Sequence, residues 1–212
     1  MPGLSMPTIP TTVSDFIYLA SQSPRRSQLL SQMGVRHEVL LPDASEDSEG
    51  LEMVHGQEAP KRYVQRVTEL KLQAALARLK RRGLPMALVL CSDTTVALGR
   101  TIYGKPENAA HAKRMLKELS AQTHRVLTAV AIGDGKRSVA VCSVSQVRFA
   151  SLTAAEIAAY VATEEPMGKA GAYAVQGRAA AFIAHISGSY SGIMGLPLFE
   201  TAGSLKYLGF DV

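Results

Sequence analysis

The sequence contains no tryptophan and only two cysteines among its 212 residues. Without tryptophan, and with few aromatic residues near its basic clusters, the chain offers little of the stacking platform used by single-strand nucleic-acid binders. Cys91 and Cys142 each lie in an apolar, strand-like run, which favours two buried, inert thiols over a disulfide or a metal pair. This use of cysteine predicts a cytoplasmic location.

Long hydrophobic runs are also lacking, because no apolar stretch reaches the length that a membrane-spanning helix needs. Residues 1–15 lack the charged segment and apolar stretch of a secretory signal. Their proline and threonine content instead predicts a flexible N-terminal tail. We therefore expect a protein without a membrane partner.

The residues that are present favour a globular fold with an anionic partner. Apolar residues make up 47% of the chain, which is enough for a buried core. The formal net charge is +5 and the pI is about 9.3, so a polyanion is the expected ligand. On charge alone, nucleotides and nucleic acids qualify equally.

Strand-like and helix-like patterns alternate along the chain, which predicts an α/β fold around a mixed sheet. Gly133-Asp134-Gly135 is a hairpin signal, and a capping box opens a helix at Thr153. The predicted strands cover 16–21, 35–41, 87–91, 126–132, 139–149 and 179–186, and the other predicted helices cover 24–33, 59–82, 108–119 and 198–208.

A phosphate-binding corner is predicted where the first strand gives way to the first helix. The segment Ser21-Gln-Ser-Pro-Arg-Arg26 puts Ser23 at the N-cap and proline at the first helical position. Free N–H groups and the positive end of the helix dipole bind phosphate at such a corner. Ser21 adds a hydroxyl, and Arg25 and Arg26 add forked guanidinium donors. An ordinary capped helix with two solvated arginines is the alternative.

A carboxylate is predicted at the mouth of the sheet, because Asp93 follows the apolar run 87–91. Asp93 could bind Mg²⁺ or accept a proton from water, although an aspartate that begins a turn is favoured when Asp93 is taken alone. Glu46, Asp47 and Glu49 in an acidic segment could complete a metal site. A solvated loop is the alternative for that segment.

Three further polar residues are candidates for contacts with a nucleotide. Residues 99–105 have the spacing of a P-loop, but Pro106 stands where a P-loop needs serine or threonine. We instead expect a hairpin of 94–98 with 101–103. Lys105 should then project from a stiffened loop towards a phosphate or solvent. Gln176 follows a small-residue segment and could pair with a base edge. Lys71 lies in the long predicted helix, where position alone indicates no function.

Taken together, these segments resemble the Maf family of nucleoside triphosphate pyrophosphatases. The six matching stretches occur in the family's order and span nearly the whole chain after the tail. They are Tyr18-Leu-Ala-Ser-Gln-Ser-Pro-Arg-Arg26, Ser92-Asp-Thr-Thr-Val96, Tyr103-Gly-Lys-Pro106, Thr123-His-Arg-Val-Leu-Thr128, Lys169-Ala-Gly-Ala-Tyr-Ala-Val-Gln-Gly177 and Gly195-Leu-Pro-Leu-Phe-Glu-Thr201.

The resemblance implies a Maf-like (ITPase-like) α/β fold, in which residues 16–212 form a single catalytic domain of two lobes with a mixed, twisted sheet and a central cleft. It implies hydrolysis of a triphosphate between the α- and β-phosphorus with a divalent cation, Mg²⁺, Mn²⁺ or Co²⁺. By family match, Asp93 is the catalytic base and a metal ligand, and Glu46 is a second metal-associated carboxylate. The substrate-binding positions are Ser21, Arg25, Arg26, Lys71 and Lys105.

Arg25, Thr94 and Gln176 match the specificity positions of the branch that acts on dTTP and UTP. The implied role is house-cleaning of nucleotide pools, including modified pyrimidine triphosphates, with a link to arrest of septum formation and with a homodimer as a further expectation. The alternatives are a 7-methyl-GTP pyrophosphatase and a non-catalytic nucleotide- or nucleic-acid-binding regulator of cell division. The chain departs from the family at Met167-Gly168, where members often carry aspartate.

Overall fold

The computed structural model describes residues 14–43, 46 and 50–212. The predicted tail, 1–15, therefore lies outside the described residues except for Ser14 and Asp15, and Asp15 forms an ion pair with Arg36. The strands are β1 (Ile17–Leu19), β2 (His37–Val39), β3 (Val89–Leu98), β4 (Thr101–Tyr103), β5 (Thr123–Gly133), β6 (Ser138–Phe149) and β7 (Ile183–Ser187). The helices are α1 (Pro24–Gln32), α2 (Pro60–Arg81), α3 (Ala109–Leu119), α4 (Ala154–Val161), α5 (Tyr190–Met194) and α6 (Leu198–Tyr207).

All seven strands belong to one mixed sheet, which confirms the predicted α/β fold. The order is β2-β1-β3-β5-β6-β7, and β4 pairs with β3. β1 runs parallel to β2 and β3, whereas β3, β5, β6 and β7 pair antiparallel. The predicted hairpin joins β5 to β6, and Asp134 Oδ1 stabilises its turn by accepting from the N–H groups of Lys136 and Arg137.

The central strand β3 joins two strands that were predicted separately, 87–91 and 94–98, and the predicted pairing of 94–98 with 101–103 is confirmed by the β3–β4 ladder. The β-branched residues after Asp93 continue the ladder, and β3 pairs with β5 from Val89 to Ala97. Asp93 consequently lies in the middle of a strand and not at the start of a turn. Its side chain is held by the sheet and is only 13% exposed.

The alternation of side chains along the strands separates two apolar layers. On one face, α2 packs Leu72 and Ala75 against Val89 and Cys91. On the other face, α1 and α6 cover the strand residues that point the opposite way. That second layer comprises Ile17, Leu19, Leu29, Leu30, Leu90, Val130, Ile132, Leu196, Leu205 and Leu208. A third cluster joins α3 and α4 to the far halves of β3, β5 and β6.

Near the C-terminal end of the fold, one predicted strand was wrong in its start and one short helix was missed. The predicted strand 179–186 begins as a 3₁₀ turn, Arg178–Phe182, and only Ile183–Ser187 pairs with β6. Alanines favour strand weakly, and the Ala180 N–H bonds to the Gly177 carbonyl instead. The short helix α5 was not predicted, although the Ser189 side chain caps it by accepting from the Gly192 N–H.

The cysteines behave as the sequence indicates. Cys91 is buried, Cys142 is half-buried, and both are free thiols. Burial raises the pKa of Cys91 to about 12, so this thiol stays protonated and inert. Across the described part of the chain, no helix combines the length and apolarity required to span a membrane.

Candidate active site

A cleft of about 620 Å³ opens where the β1–α1 turn, β3 and α2 meet. Among the described residues, six cationic side chains and two carboxylates line it, so its charge suits a polyanion. The structure brings nearly all of the sequence-predicted site residues to this one cleft. They are Ser21, Arg25, Arg26, Lys71, Asp93, Thr94, Lys105 and Gln176.

The guanidinium of Arg26 forms three hydrogen bonds within the predicted phosphate-binding corner. Its Nε donates to the Gly195 carbonyl at 2.9 Å, and its two terminal nitrogens donate to Ser21 Oγ at 3.0 Å and to Thr94 Oγ1 at 3.4 Å. Burial lowers the pKa of Arg26 and the charge of Asp93 partly opposes that shift, so the guanidinium stays charged in the pH range where proteins are folded. Arg26 thereby ties α1 to β3 and to the segment after α5.

Arg25 is placed differently from its neighbour. In the described part of the chain, no hydrogen bond or ion pair engages its half-buried guanidinium, although the group lines the cleft. Ser23 occupies the N-cap of α1 as predicted, but its side chain makes no capping bond. Its own N–H donates to Ser21 Oγ at 3.2 Å. The entrance of α1 therefore presents donors to the cleft, as a phosphate-binding corner requires.

A chain of ion pairs crosses the cleft from the central strand to the Lys105 loop. Lys71 Nζ lies 2.5 Å from Asp93 Oδ1 and 2.7 Å from Glu52 Oε1, and Lys105 Nζ lies 3.3 Å from Glu52 Oε2. Burial acts to lower the pKa of Lys71, but Asp93 and Glu52 outweigh it and the net shift is upward. Burial likewise acts to raise the pKa of Glu52, and the two lysines reverse that shift. Glu52 and Lys71 are thus both charged at neutral pH.

Glu46, which the family match assigned to the metal, occupies a different position. Its carboxylate pairs with Arg78 at 2.7 Å and with Arg81 at 2.7 Å. Hydrogen bonds from Arg78 lower the pKa of Glu46 to about 2 against the opposing effect of burial. Because Arg78 lies seven residues beyond Lys71, the two anchors are about 10 Å apart along α2.

The second carboxylate beside Asp93 is therefore Glu52, which the sequence analysis did not single out. Glu52 ends a single 3₁₀ turn, Gly50–Glu52. Its presence in an acidic segment was the available signal, but that segment contains several acids and no periodicity to rank them. Asp47 and Glu49, the other candidates from the segment, lie outside the described residues.

Another part of the cleft lining is the turn that carries Gln176. The Gly177 N–H donates to the Ala174 carbonyl at 3.0 Å and closes the turn, and the exposed Gln176 lines the cleft. Thr94 lies deeper, where its hydroxyl contacts Arg26 and, at 3.0 Å, the hydroxyl of Thr128. The cleft thus combines charged groups with amide and backbone groups.

This fold and this cleft define an α/β protein that holds a polyanion beside a sheet-borne carboxylate. A family model described as "Maf-like protein" matches residues 16–208. The chain therefore belongs to the Maf family.

Relatives of the chain are named dTTP/UTP pyrophosphatase. The chain is 68% identical over 200 residues to the relative from Albidiferax ferrireducens, and the aligned region covers 94% of this chain and 100% of the relative. It is 64% identical over 199 residues to that of a Polaromonas species, covering 94% and 98%. It is 63% identical over 191 residues to that of Ralstonia nicotianae, covering 89% and 92%.

Proposed function

We propose that this protein hydrolyses dTTP and UTP to the nucleoside monophosphate and pyrophosphate. The observation that carries the proposal is the junction of a cationic helix entrance with Asp93 in one cleft. The relatives that carry the name dTTP/UTP pyrophosphatase support the same reaction. The cleft has room for a nucleotide, since its volume lies within the usual range of small-molecule sites.

The phosphate chain is held by the cationic end of the cleft. Arg25 supplies a guanidinium fork that no described residue occupies, and the entrance of α1 supplies backbone N–H groups. Lys105, whose side chain is 62% exposed, can leave Glu52 for a phosphate at little cost. Fixing the phosphates in line with water is the larger part of catalysis in phosphoryl chemistry.

Asp93 is proposed to orient and deprotonate the attacking water. Its Oδ1 accepts from Lys71, and this contact fixes the direction of the carboxylate. Lys71 itself remains protonated because its pKa is raised, so it cannot compete as the base. Asp93, which is held by the central strand, is therefore our candidate for the group that accepts the proton from water.

A divalent cation fits the residues present. Among the described residues, no group of three or more histidine, cysteine, aspartate or glutamate side chains could hold a metal on its own. Asp93 and Glu52 offer hard carboxylate oxygens of the kind that Mg²⁺ takes in ones and twos, together with substrate phosphates and water. When bound, such a cation neutralises charge on the phosphates and on the departing pyrophosphate.

The rival function, nucleic-acid binding by the basic helix, is less well supported by the contacts of α2. Arg66 pairs with Glu58, and Lys71 pairs with Glu52 and Asp93. The arginines at its C-terminal end are similarly engaged with Asp43 and Glu46; they are Arg78, Arg81 and Arg82. Exposed cations without an ion pair to any described residue remain at Lys61, Arg62 and Lys80, so the helix offers fewer phosphate contacts than its composition suggests.

The reaction is tested by measuring pyrophosphate release from a panel of ordinary and modified triphosphates with several divalent cations. Asp93→Asn removes the charge of the base and little volume, so it should reduce kcat by at least about a hundredfold while nucleotide binding persists. Arg148→Gln is the matched surface control, because it removes the charge of a side chain outside the cleft. Near-normal kcat in Asp93→Asn would refute the role of Asp93.

The preference for pyrimidines is tested at Gln176. Gln176→Ala removes an amide that can pair with a base edge, so the ratio of kcat/KM for dTTP over dGTP should fall by about tenfold. The affinity for pyrophosphate, which has no base, should stay unchanged. A preserved ratio would remove Gln176 from base recognition.

A further inference from the structure

The carboxylate of Glu165 contacts the backbone of the turn that carries Gln176. Oε2 of Glu165 accepts from the Arg178 N–H at 3.0 Å, directly after the turn. Oε1 accepts from the hydroxyl of Tyr160 at 2.9 Å. Tyr160 is itself buried in α4, where its ring packs edge-on against Phe182. A group anchored in the core therefore fixes the backbone next to Gln176.

Gly177 makes this close approach of the carboxylate to the turn feasible. A Cβ atom built on Gly177 would lie 2.8 Å from Oε2 of Glu165, 2.5 Å from its Cδ and closer still to Oε1. The φ angle of Gly177 is −104°, so the backbone itself does not require glycine. The three atoms nearest to such a Cβ all belong to the carboxylate of Glu165.

Glu165 reaches the cleft through its main chain as well. Its carbonyl accepts from Nζ of Lys169, a residue that lines the cleft. Burial and the charge of Arg25 lower the pKa of Lys169. One residue outside the cleft lining thus connects the Gln176 turn to a lysine near the phosphate corner.

From these contacts we infer that Glu165 is a positioning residue for base selection, and that it acts through Gly177 and the Arg178 N–H. The inference rests on the proposed function in taking Gln176 as the residue that meets the base. Glu165 holds the turn so that the amide of Gln176 faces the same place in the free protein and in the complex. Such preorganisation gives discrimination between bases without any contact from Glu165 to the substrate.

The first experiment compares Glu165→Ala with Glu165→Gln. Glu165→Ala should lower the ratio of kcat/KM for dTTP over dGTP by about tenfold, chiefly through a higher KM for dTTP. Glu165→Gln should retain most of the ratio, because its amide oxygen can still accept from the Arg178 N–H. Pyrophosphate affinity, measured by calorimetry, should change by less than about twofold in either variant because the phosphate end is untouched. A ratio in Glu165→Ala within about twofold of the wild-type value overturns the inference.

The second experiment is a double-mutant cycle. Gly177→Ala should lower the dTTP preference and the Tm in the wild-type background, and should do neither in the Glu165→Ala background, where the obstructing carboxylate is gone. Gly203→Ala is the matched control, since a Cβ there meets nothing within 4 Å. Equal effects of Gly177→Ala in both backgrounds would overturn the inferred role of the contact between Glu165 and the Gln176 turn. If the wild-type protein released no pyrophosphate from any triphosphate, the proposed function would fail. The Tm values of the cycle would still measure the coupling between Glu165 and Gly177.

Discussion

Lys71 is the only described cation that bonds to both acids of the cleft, and its replacement by methionine is expected to destabilise the whole domain. Methionine retains the length of the side chain and removes the charge. Asp93, whose side chain is 13% exposed, would then lose its lysine partner, and Glu52, whose side chain is 32% exposed, would keep only its 3.3 Å contact with the exposed Lys105. Two partly buried carboxylates that lose the cation between them repel each other and lose hydrogen bonds at the same time.

The size of the effect follows from the burial of the pair. Removing one partner of a fully buried pair costs about 3–5 kcal/mol, and partial exposure reduces this to about 2 kcal/mol here. For a chain of this length, a loss of that size lowers Tm by about 4–8 °C. With an m-value of about 2 kcal/mol/M, the urea midpoint falls by about 1 M.

The pH dependence distinguishes this mechanism from a simple packing defect. In the wild type the pKa of Glu52 is lowered, so its contribution to stability is present above its ordinary pKa of 4.5 and is lost as the pH falls through the folded value. In Lys71→Met, Glu52 loses the lysine that lowers its pKa most, and the effect of burial is then opposed mainly by Lys105. Acidification should therefore protonate Glu52 at a higher pH than in the wild type and relieve its repulsion from Asp93. The deficit relative to wild type should therefore shrink between about pH 8 and pH 5.

Urea titrations of both proteins at the two pH values provide the assay. Lys80→Met is the matched control, because Lys80 is an exposed lysine on the same helix. Lys71→Met/Glu52→Gln should recover part of the lost stability, since one of the two carboxylates that lost Lys71 no longer carries a charge. The account of the site would be refuted by a Lys71→Met protein that is as stable as wild type at about pH 8, or by a deficit that does not change with pH.

Two further substitutions examine other parts of the cleft. Arg26→Lys keeps the charge, but the lysine cannot reach Gly195, Ser21 and Thr94 together. It should therefore lower the free energy of unfolding in urea by about 2 kcal/mol and raise the KM for dTTP. A variant with unchanged stability would contradict this. Glu46→Gln should lower the free energy of unfolding by about 1 kcal/mol at neutral pH. This difference from the wild type should become smaller as the pH falls below 4.5 towards the folded pKa of about 2. Its Mg²⁺ dependence of pyrophosphate release should match the wild type, and a marked shift in that dependence would return Glu46 to the metal site.

The parts of the fold that the sequence predicts correctly are those with local physical causes. Asn108 caps α3, the capping box at Thr153 opens α4, and the hairpin after Gly133 joins the two longest strands. Each depends on side chains and backbone within a few residues of one another. The boundaries of β3 and β7 were missed because pairing with neighbouring strands decides them, and those neighbours are distant in sequence.

Most of the site residues could be found because each lies in a local pattern at an element's end or edge. Ser21, Arg25 and Arg26 belong to a strand-to-helix corner, and Gln176 belongs to a glycine-rich turn. Glu165 could not be found in this way. Its importance arises from contact with Gly177, twelve residues further on, and this contact exists only once the turn has folded back on α4.

The geometry of α2 also explains why Glu46 pairs with Arg78 whereas Glu52 pairs with Lys71. Lys71 and Arg78 are seven residues apart and therefore point from the same side of the helix, so two cations face the acidic segment. The sequence shows that two acids can meet two cations, but both pairings satisfy charge equally well. The Leu40 carbonyl selects one of them, because it accepts from Arg78 and holds that guanidinium near the end of β2, where Glu46 is within reach. Glu52, later in the segment, is then the acid that extends to Lys71 and Lys105. The contact with Leu40 therefore accounts for the place of Glu46, and Glu52 is the acid that shares Lys71 with Asp93.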